Sequence, residues 1–197
     1  SKILREVLNN NIKTTFNAIS CDGDTSTNDM VSLFATNKVK NSKIKKTNDP
    51  KLKSFKKAVH EVLLNLAKQV ALDGEGASKF ITIKCKNCKS DKDAKNISFS
   101  VANSLLVKTA IAGEDPNWGR VIMAIGKSGV NFKHNNLSIN FGPYKIVENG
   151  NLSKSYIEKD VAIYMKNENI DININLGIGK KKFKVYTTDL TKKYIEI

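Results

Sequence analysis

The stretch Leu106–Gly129, LVKTAIAGEDPNWGRVIMAIGKSG, limits the folds open to this chain more than any other. It holds the only Trp, Trp118, and one of the only two arginines, Arg120. Asp115-Pro116 predicts a helix start, with a side-chain acceptor at the cap and a fixed φ at the first helical position. The apolar run before it predicts a second helix, and Gly113 can take φ > 0 to turn the chain between them. The predicted unit is helix, tight Gly-Glu-Asp-Pro turn, helix.

Upstream, Ile3, Leu4, Val7, Leu8, Ile12 and Phe16 recur at helical spacing and predict an amphipathic first helix. A polar run, Asp22-Gly-Asp-Thr-Ser-Thr-Asn-Asp29, precedes an apolar Met30–Ala35 that reads as a buried strand. Lys- and Asn-rich residues 36–53, with Pro50, read as an exposed loop or frayed helix start. Phe55, Val59, Val62, Leu63, Leu66 and Val70 place one apolar face on the longest predicted helix, which stops at Asp73-Gly74. Alternation from Phe80 to Cys85 predicts a half-buried strand, and 86–96 a polar connection. Beyond the helical pair, strands are predicted over Leu137–Phe141, Tyr144–Val147 and Ile170–Leu176, with a helix around Tyr156–Met165. Gly177-Ile-Gly-Lys180 reads as a hairpin into Phe183, Val185 and Thr187, and Ile197 falls in a strand-like run. The class is α/β or α+β, with a domain division placed near Gly113.

The formal net charge of +14 brings nucleic acid into question. The excess is nearly all Lys, however, in a chain crowded with Lys, Asn and Ile, and only Arg5 and Arg120 offer a guanidinium fork. Compositional bias is the preferred account, and a basic nucleic-acid-binding module is the rival. No window approaches the ~18 apolar residues of a membrane span, and no signal segment opens the chain. Three cysteines are too few for a disulfide framework, which fits a reducing, cytoplasmic setting.

Several motifs fail on inspection. Cys85-Lys-Asn-Cys88 has half the ligands of a structural zinc site and no second pair. Gly126-Lys-Ser128 lacks the earlier glycine of a phosphate loop, with Val121 in its place. Asp22-x-Asp24-x-Ser26-x-Asn28 lacks the glycine and the final Glu of a calcium loop. No metal is therefore expected. Asp22, Asp24 and Asn28 stay divided between a multiply capped turn and site lining. Glu75, between Gly74 and Gly76, is a carboxylate on bare backbone that a ligand ammonium can approach. Most such turns are only turns. Arg120, beside a helix N-terminus, suits an anion, or else pairs with a neighbouring acid.

Four segments taken in order change the weight of these readings. Thr15-Phe-Asn-Ala-Ile-Ser-Cys-Asp22-Gly-Asp-Thr-Ser-Thr-Asn-Asp29, Asp73-Gly-Glu-Gly-Ala-Ser-Lys-Phe80, Val107-Lys-Thr-Ala-Ile-Ala-Gly-Glu-Asp-Pro-Asn-Trp-Gly-Arg120 and Thr187-Thr-Asp-Leu-Thr191 resemble the β chain of the ornithine acetyltransferase family. The likeness spans nearly the whole chain.

The resemblance implies transfer of acetyl from N2-acetyl-L-ornithine to L-glutamate in arginine biosynthesis, with acetyl-CoA a further acetyl donor in some members and no bound cofactor. The family precursor cleaves itself before a Thr, which becomes the nucleophile of the β chain and carries the acetyl group. A Thr hydroxyl needs a base beside it, and its own α-amine can serve. That Thr is expected upstream of Ser1, so no catalytic residue is assigned in this chain. The oxyanion hole that steadies the tetrahedral intermediate belongs to the α chain, and a substrate-contacting tail follows Ile197. Glu75 matches the family's substrate-contacting Glu, while Asp22, Asp24, Asn28 and Arg120 are candidate site lining. The implied fold is an αββα sandwich shared with the α chain of the same precursor (residues 1–112 here), plus a smaller C-terminal α/β domain (113–197). An α2β2 heterotetramer acting on small amino acids, with neither nucleic acid nor membrane as partner, completes the expectation.

Overall fold

The computed structural model describes residues 2–40, 42 and 44–196. They form two compact units, one from the chain up to Ile19 with Asp24–Gln69, the other from Ser20–Gly23 with Val70 onward.

In the first unit, helix α1 (Lys2–Ile12) and most of α2 (Lys53–Leu72) are joined by a long irregular segment. Val7, Val59 and Leu63 form its core, with Ile3, Leu8, Phe16, Val31 and Leu33 packed on it. The Met30–Ala35 strand is not formed. Met30 and Phe34 are 85% and 84% exposed, and only Val31 and Leu33 find apolar partners, so the run is an extended lining rather than a paired strand. Residues 36–49 are irregular as predicted, apart from Asn41 and Lys43, which lie outside the described residues. Asp49 caps a 3-10 turn that begins at Pro50 and leads into α2.

The apolar positions of α2 do not share one face. Val59, Leu63, Ala67 and Ala71 are buried at a spacing of four, whereas Phe55, Val62, Leu66 and Val70 are exposed. Alanine carries little apolar signal of its own, yet Ala67 and Ala71 complete the buried stripe.

The second unit is built on a seven-stranded mixed sheet in the order β1-β7-β2-β6-β3-β4-β5. Its strands are β1 (Ile19–Ser20), β2 (Phe80–Cys88), β3 (Ser138–Phe141), β4 (Tyr144–Glu148), β5 (Asn151–Leu152), β6 (Asn169–Asn175) and β7 (Lys181–Thr188). Period-2 alternation divides them cleanly. Register places Ile81, Ile83 and Cys85 beside Ile170, Ile172 and Ile174 on one side and beside Thr187, Val185 and Phe183 on the other. This face is buried under α3 (Asp91–Ala102), α4 (Leu105–Ala112), α5 (Trp118–Gly126) and α6 (Glu158–Met165), whose Ile97, Val101, Ile111, Val121, Ile125, Val161 and Met165 join its core. The opposite face carries Thr82, Lys84, Asp171, Asn173 and Lys184.

Two expectations change here. Gly177–Lys180 is not a hairpin turn, because β2 lies between β6 and β7, parallel to the first and antiparallel to the second. A Cβ on Gly179 would collide with the Cys88 carbonyl oxygen, so glycine is what lets the connection cross the end of β2. The polar stretch after Cys85 is also more ordered than its composition suggests. β2 runs on to Cys88 with a register shift, and Ser90 then caps α3 by accepting from the Asp93 N–H, with Asp91 and Asp93 in the first turn.

The helix-turn-helix stands, with a different turn. Gly113 has φ −83°, and Glu114 takes the left-handed conformation at φ +57°. Asp115 N–H donates to the Ala110 carbonyl (2.8 Å) and Glu114 N–H to that of Ile111 (3.1 Å), the bonding of a Schellman cap. The α5 cap is Asn117, which accepts from Arg120 N–H and itself donates to Asp115. Pro116 therefore precedes the helix rather than opening it. The strand-like reading of Ile197 lies outside the described residues, and the preceding Lys192–Tyr194 is a 3-10 turn.

Candidate active site

The turn after α2 is set by two glycines. Ala77 N–H donates to the Gly74 carbonyl (3.0 Å), so Glu75 and Gly76 are the central residues of a β-turn. Gly76 has φ +65° there, a conformation any other residue would adopt at a cost. A Cβ on Gly76 would meet the Tyr194 nitrogen at 2.6 Å, and one on Gly74 would lie 3.4 Å from Cys21 Sγ. The chain is thus packed tightly at Gly76, whereas Gly74 is in ordinary contact with Cys21. Its own side chain is exposed and has no hydrogen bond or ion pair among the described residues. A free carboxylate on a fixed turn is suited to receiving an ammonium group.

The segment after β7 holds this turn in place. Asp189, 3% exposed, accepts from Ser78 N–H (2.9 Å), Ser78 Oγ (2.5 Å) and Lys79 N–H (2.9 Å). Two residues on, Thr191 Oγ1 donates to the Gly76 carbonyl (2.6 Å). Tyr194, whose backbone abuts Gly76, donates from its hydroxyl to Asp22 Oδ2 at 3.4 Å. Asp22 is therefore brought to the same corner as the Glu75 turn. Beneath them, Lys108 is buried on α4, with Nζ donating to Thr187 Oγ1 (3.0 Å) and to the Thr188 carbonyl. Burial pushes Lys108 down to about 8, against the opposing pull of Cys21, Asp189 and Asp22. Burial likewise raises the Cys21 thiol. A cleft of about 110 Å³ opens beside this junction, lined by Ser78, Lys79, Phe80 and Thr188 among others.

The remaining candidates divide between the two units. Arg120 Nη1 donates to the Leu106 carbonyl (2.8 Å) and to Thr109 Oγ1 (3.3 Å), so it ties α5 to α4 rather than pairing with an acid. Asp24 and Asn28 belong to the first unit, in a loop where Ser26 Oγ accepts from the N–H groups of Asn28 (3.4 Å) and Asp29 (3.3 Å). Cys85 and Cys88 approach to 3.3 Å between sulfurs. Their mutual hydrogen bond, with burial, holds the Cys85 thiol far above its ordinary value. No metal-binding group of His, Cys, Asp or Glu occurs among the described residues, and none of their helices is long and apolar enough to cross a membrane. His60 is engaged with Asn11 (3.1 Å).

Two members of this corner escape a reading of the residues alone. Asp189 lies in a motif visible only through family resemblance. Lys108 had a local signal: it follows buried Ser104 by four and precedes buried Ile111 by three, so helical phase turns it inward.

The model of the ArgJ family matches residues 1–197. The chain is 46% identical over 197 residues to "Arginine biosynthesis bifunctional protein ArgJ" of Bradyrhizobium diazoefficiens, covering 98% of this chain and 48% of that protein. The same-named protein of Mesorhizobium japonicum is 44% identical over 198 residues, with 99% and 48% covered. The chain thus spans about half the length of the curated relatives it matches. The crystal structure of Arginine biosynthesis bifunctional protein argJ from Bacillus halodurans superimposes with a TM-score of 0.93 at 36% identity, covering 99% of this chain and 91% of that one. The mixed sheet and its helical layer are therefore an ArgJ-type fold, and the chain belongs to the ArgJ family, the ornithine acetyltransferases that its four motifs resemble.

Proposed function

We propose that this chain is the β chain of a glutamate N-acetyltransferase, moving acetyl from N2-acetyl-L-ornithine to L-glutamate through an acetyl-threonine intermediate. Arginine biosynthesis is the process, as in the names of its relatives. The observation that carries the reading is Glu75: a carboxylate unpaired among the described residues, beside Gly76, where a side chain would collide with the backbone of Tyr194. In this role it takes the charged amine of the incoming amino acid, while the reacting Thr comes from upstream of Ser1. The chain works with an α chain of the same precursor in an α2β2 assembly in the cytoplasm. The α chain supplies the oxyanion hole and completes an αββα sandwich over residues 1–112, with 113–197 as the C-terminal domain. Acetyl-CoA serves as a second acetyl donor where the enzyme also makes N-acetylglutamate.

The test is an assay of the full gene product for acetyl transfer from N2-acetylornithine to glutamate. Correct self-cleavage without any transfer would refute the reading. In the active protein, Glu75→Ala should raise KM for the amino acids by about tenfold or more, the scale of a lost charge-assisted contact, while leaving the fold intact. Unchanged kinetics would remove Glu75 from the site.

A further inference from the structure

One of the largest fully buried side chains among the described residues is a lysine. Lys108 is 1% exposed, among apolar neighbours on α4 whose other inward residues are Val107, Ala110 and Ile111. A Leu or Met would fill this volume without the penalty of burying an ammonium. The ammonium makes no ion pair among the described residues, and its hydrogen-bond acceptors are the Thr187 hydroxyl and the Thr188 carbonyl at the end of β7. The backbone of the same residue engages the same segment, since Leu190 N–H donates to the Lys108 carbonyl (3.4 Å). From that segment, Asp189 reaches Ser78 and Lys79, and Thr191 reaches Gly76. The contacts therefore run without a gap from α4, through 187–191, to the turn that carries Glu75.

We propose that Lys108 is a positioning residue for Glu75: the hydrogen bonds from its Nζ pin the end of β7, and that segment in turn holds Gly74–Ser78 in the shape that presents the carboxylate. The role rests on the reading of Glu75 as the substrate carboxylate. Three titratable groups face Nζ: Cys21 and Asp22 from the turn after β1, and Asp189 from the end of β7. The carboxylates favour the charged ammonium and burial opposes it, with the balance at about 8. Deprotonation leaves an amine that can still donate but no longer carries charge beside Asp22 and Asp189. Because the buried corner favours the neutral amine, its hold on the end of β7 tightens as pH rises through that point.

The experiment uses the assembled, self-cleaved enzyme and compares it with Lys108→Met, Glu75→Ala and the double variant. Lys108→Met should raise KM for glutamate by roughly tenfold with kcat changed by less than about threefold. Combined with Glu75→Ala it should add less than about twofold, because both act on one interaction. The ratio of wild-type to Lys108→Met kcat/KM should rise as pH rises through about 8, a comparison in which titration of the substrate amine cancels. A folded Lys108→Met enzyme with unchanged KM, full additivity or a flat ratio would overturn the proposal. If Lys108→Met does not fold, Thr187→Val removes the acceptor hydroxyl and must show the same non-additivity with Glu75→Ala; additivity there overturns it equally. If the wild-type enzyme transfers no acetyl, the functional reading has failed separately. Amide exchange over residues 74–79 then decides: faster exchange in Lys108→Met supports the positioning role, and unchanged exchange ends it.

Discussion

Asp189 and Ser78 are joined twice, the backbone N–H of Ser78 to Oδ1 at 2.9 Å and its hydroxyl to Oδ2 at 2.5 Å. A third bond, from Lys79 N–H, also ends on Oδ1. One nearly buried carboxylate thus fastens the strand end that follows β7 to the run of chain leading into β2. Removing it leaves two N–H groups and a hydroxyl without their acceptor. Asp189→Ala should destabilise the fold by about 3 kcal/mol, and Ser78→Ala, which removes only the hydroxyl bond, by about 1 kcal/mol. Denaturant unfolding of the purified protein measures both. Equal effects would show that the hydroxyl carries the whole interaction.

Gly179 is fixed by a different constraint. Its added Cβ would strike the Cys88 carbonyl oxygen and lie 2.6 Å from the carbonyl carbon, and these are backbone atoms that cannot swing aside. Gly179→Ala should cost about 3 kcal/mol or more, through displacement of the crossing over β2. Gly126→Ala is the control, since nothing lies within 4 Å of its added carbon, and it should stay within about 1 kcal/mol of wild type. Thermal unfolding of the two variants side by side checks the contrast.

Lys108 makes stability depend on pH in a stated direction. The unfolded chain keeps its proton up to the ordinary 10.5, whereas the folded chain releases it near 8. Between those values the unfolded state binds more protons, so stability relative to Lys108→Met rises with pH, by up to about 1.4 kcal/mol per unit. Below about 8 and above about 10.5 the difference is level. Unfolding free energies of the two proteins across pH 7 to ~11 give the curve; a difference that falls over this window would contradict the burial of a charged lysine.

What could be read from residues alone was whatever local pattern decides. Ile170, Ile172 and Ile174 alternate because one face of β6 is dry, and the helices either side of Gly113 announce themselves by apolar runs. Choices made between distant segments were not legible. Gly177-x-Gly179 has the look of a tight hairpin, yet its geometry is dictated by a carbonyl at Cys88. Met30 and Phe34 satisfy every local rule for a buried strand and are exposed because no neighbouring strand among the described residues pairs with them. The candidate site divides in the same way. Glu75 was visible between its glycines, whereas Lys108 and Asp189 act through partners on distant segments, which spacing along the chain does not encode.

The order of strands around β2 has a bearing on how the protein comes into being. β2 is complete at Cys88, but its partners on either side begin only at Asn169 and Lys181. During synthesis this early strand must wait, both edges open, for most of the second unit to be made, and closure over such separations is slow. The residues that lock the Glu75 turn, Asp189 and Thr191, arrive directly behind the last of those partners. A shortened chain that stops before Lys181 would therefore lose one flank of its central strand and the ties on its Glu75 turn in the same stroke. Completion of the sheet and fastening of the Glu75 turn are a single event in the life of the chain.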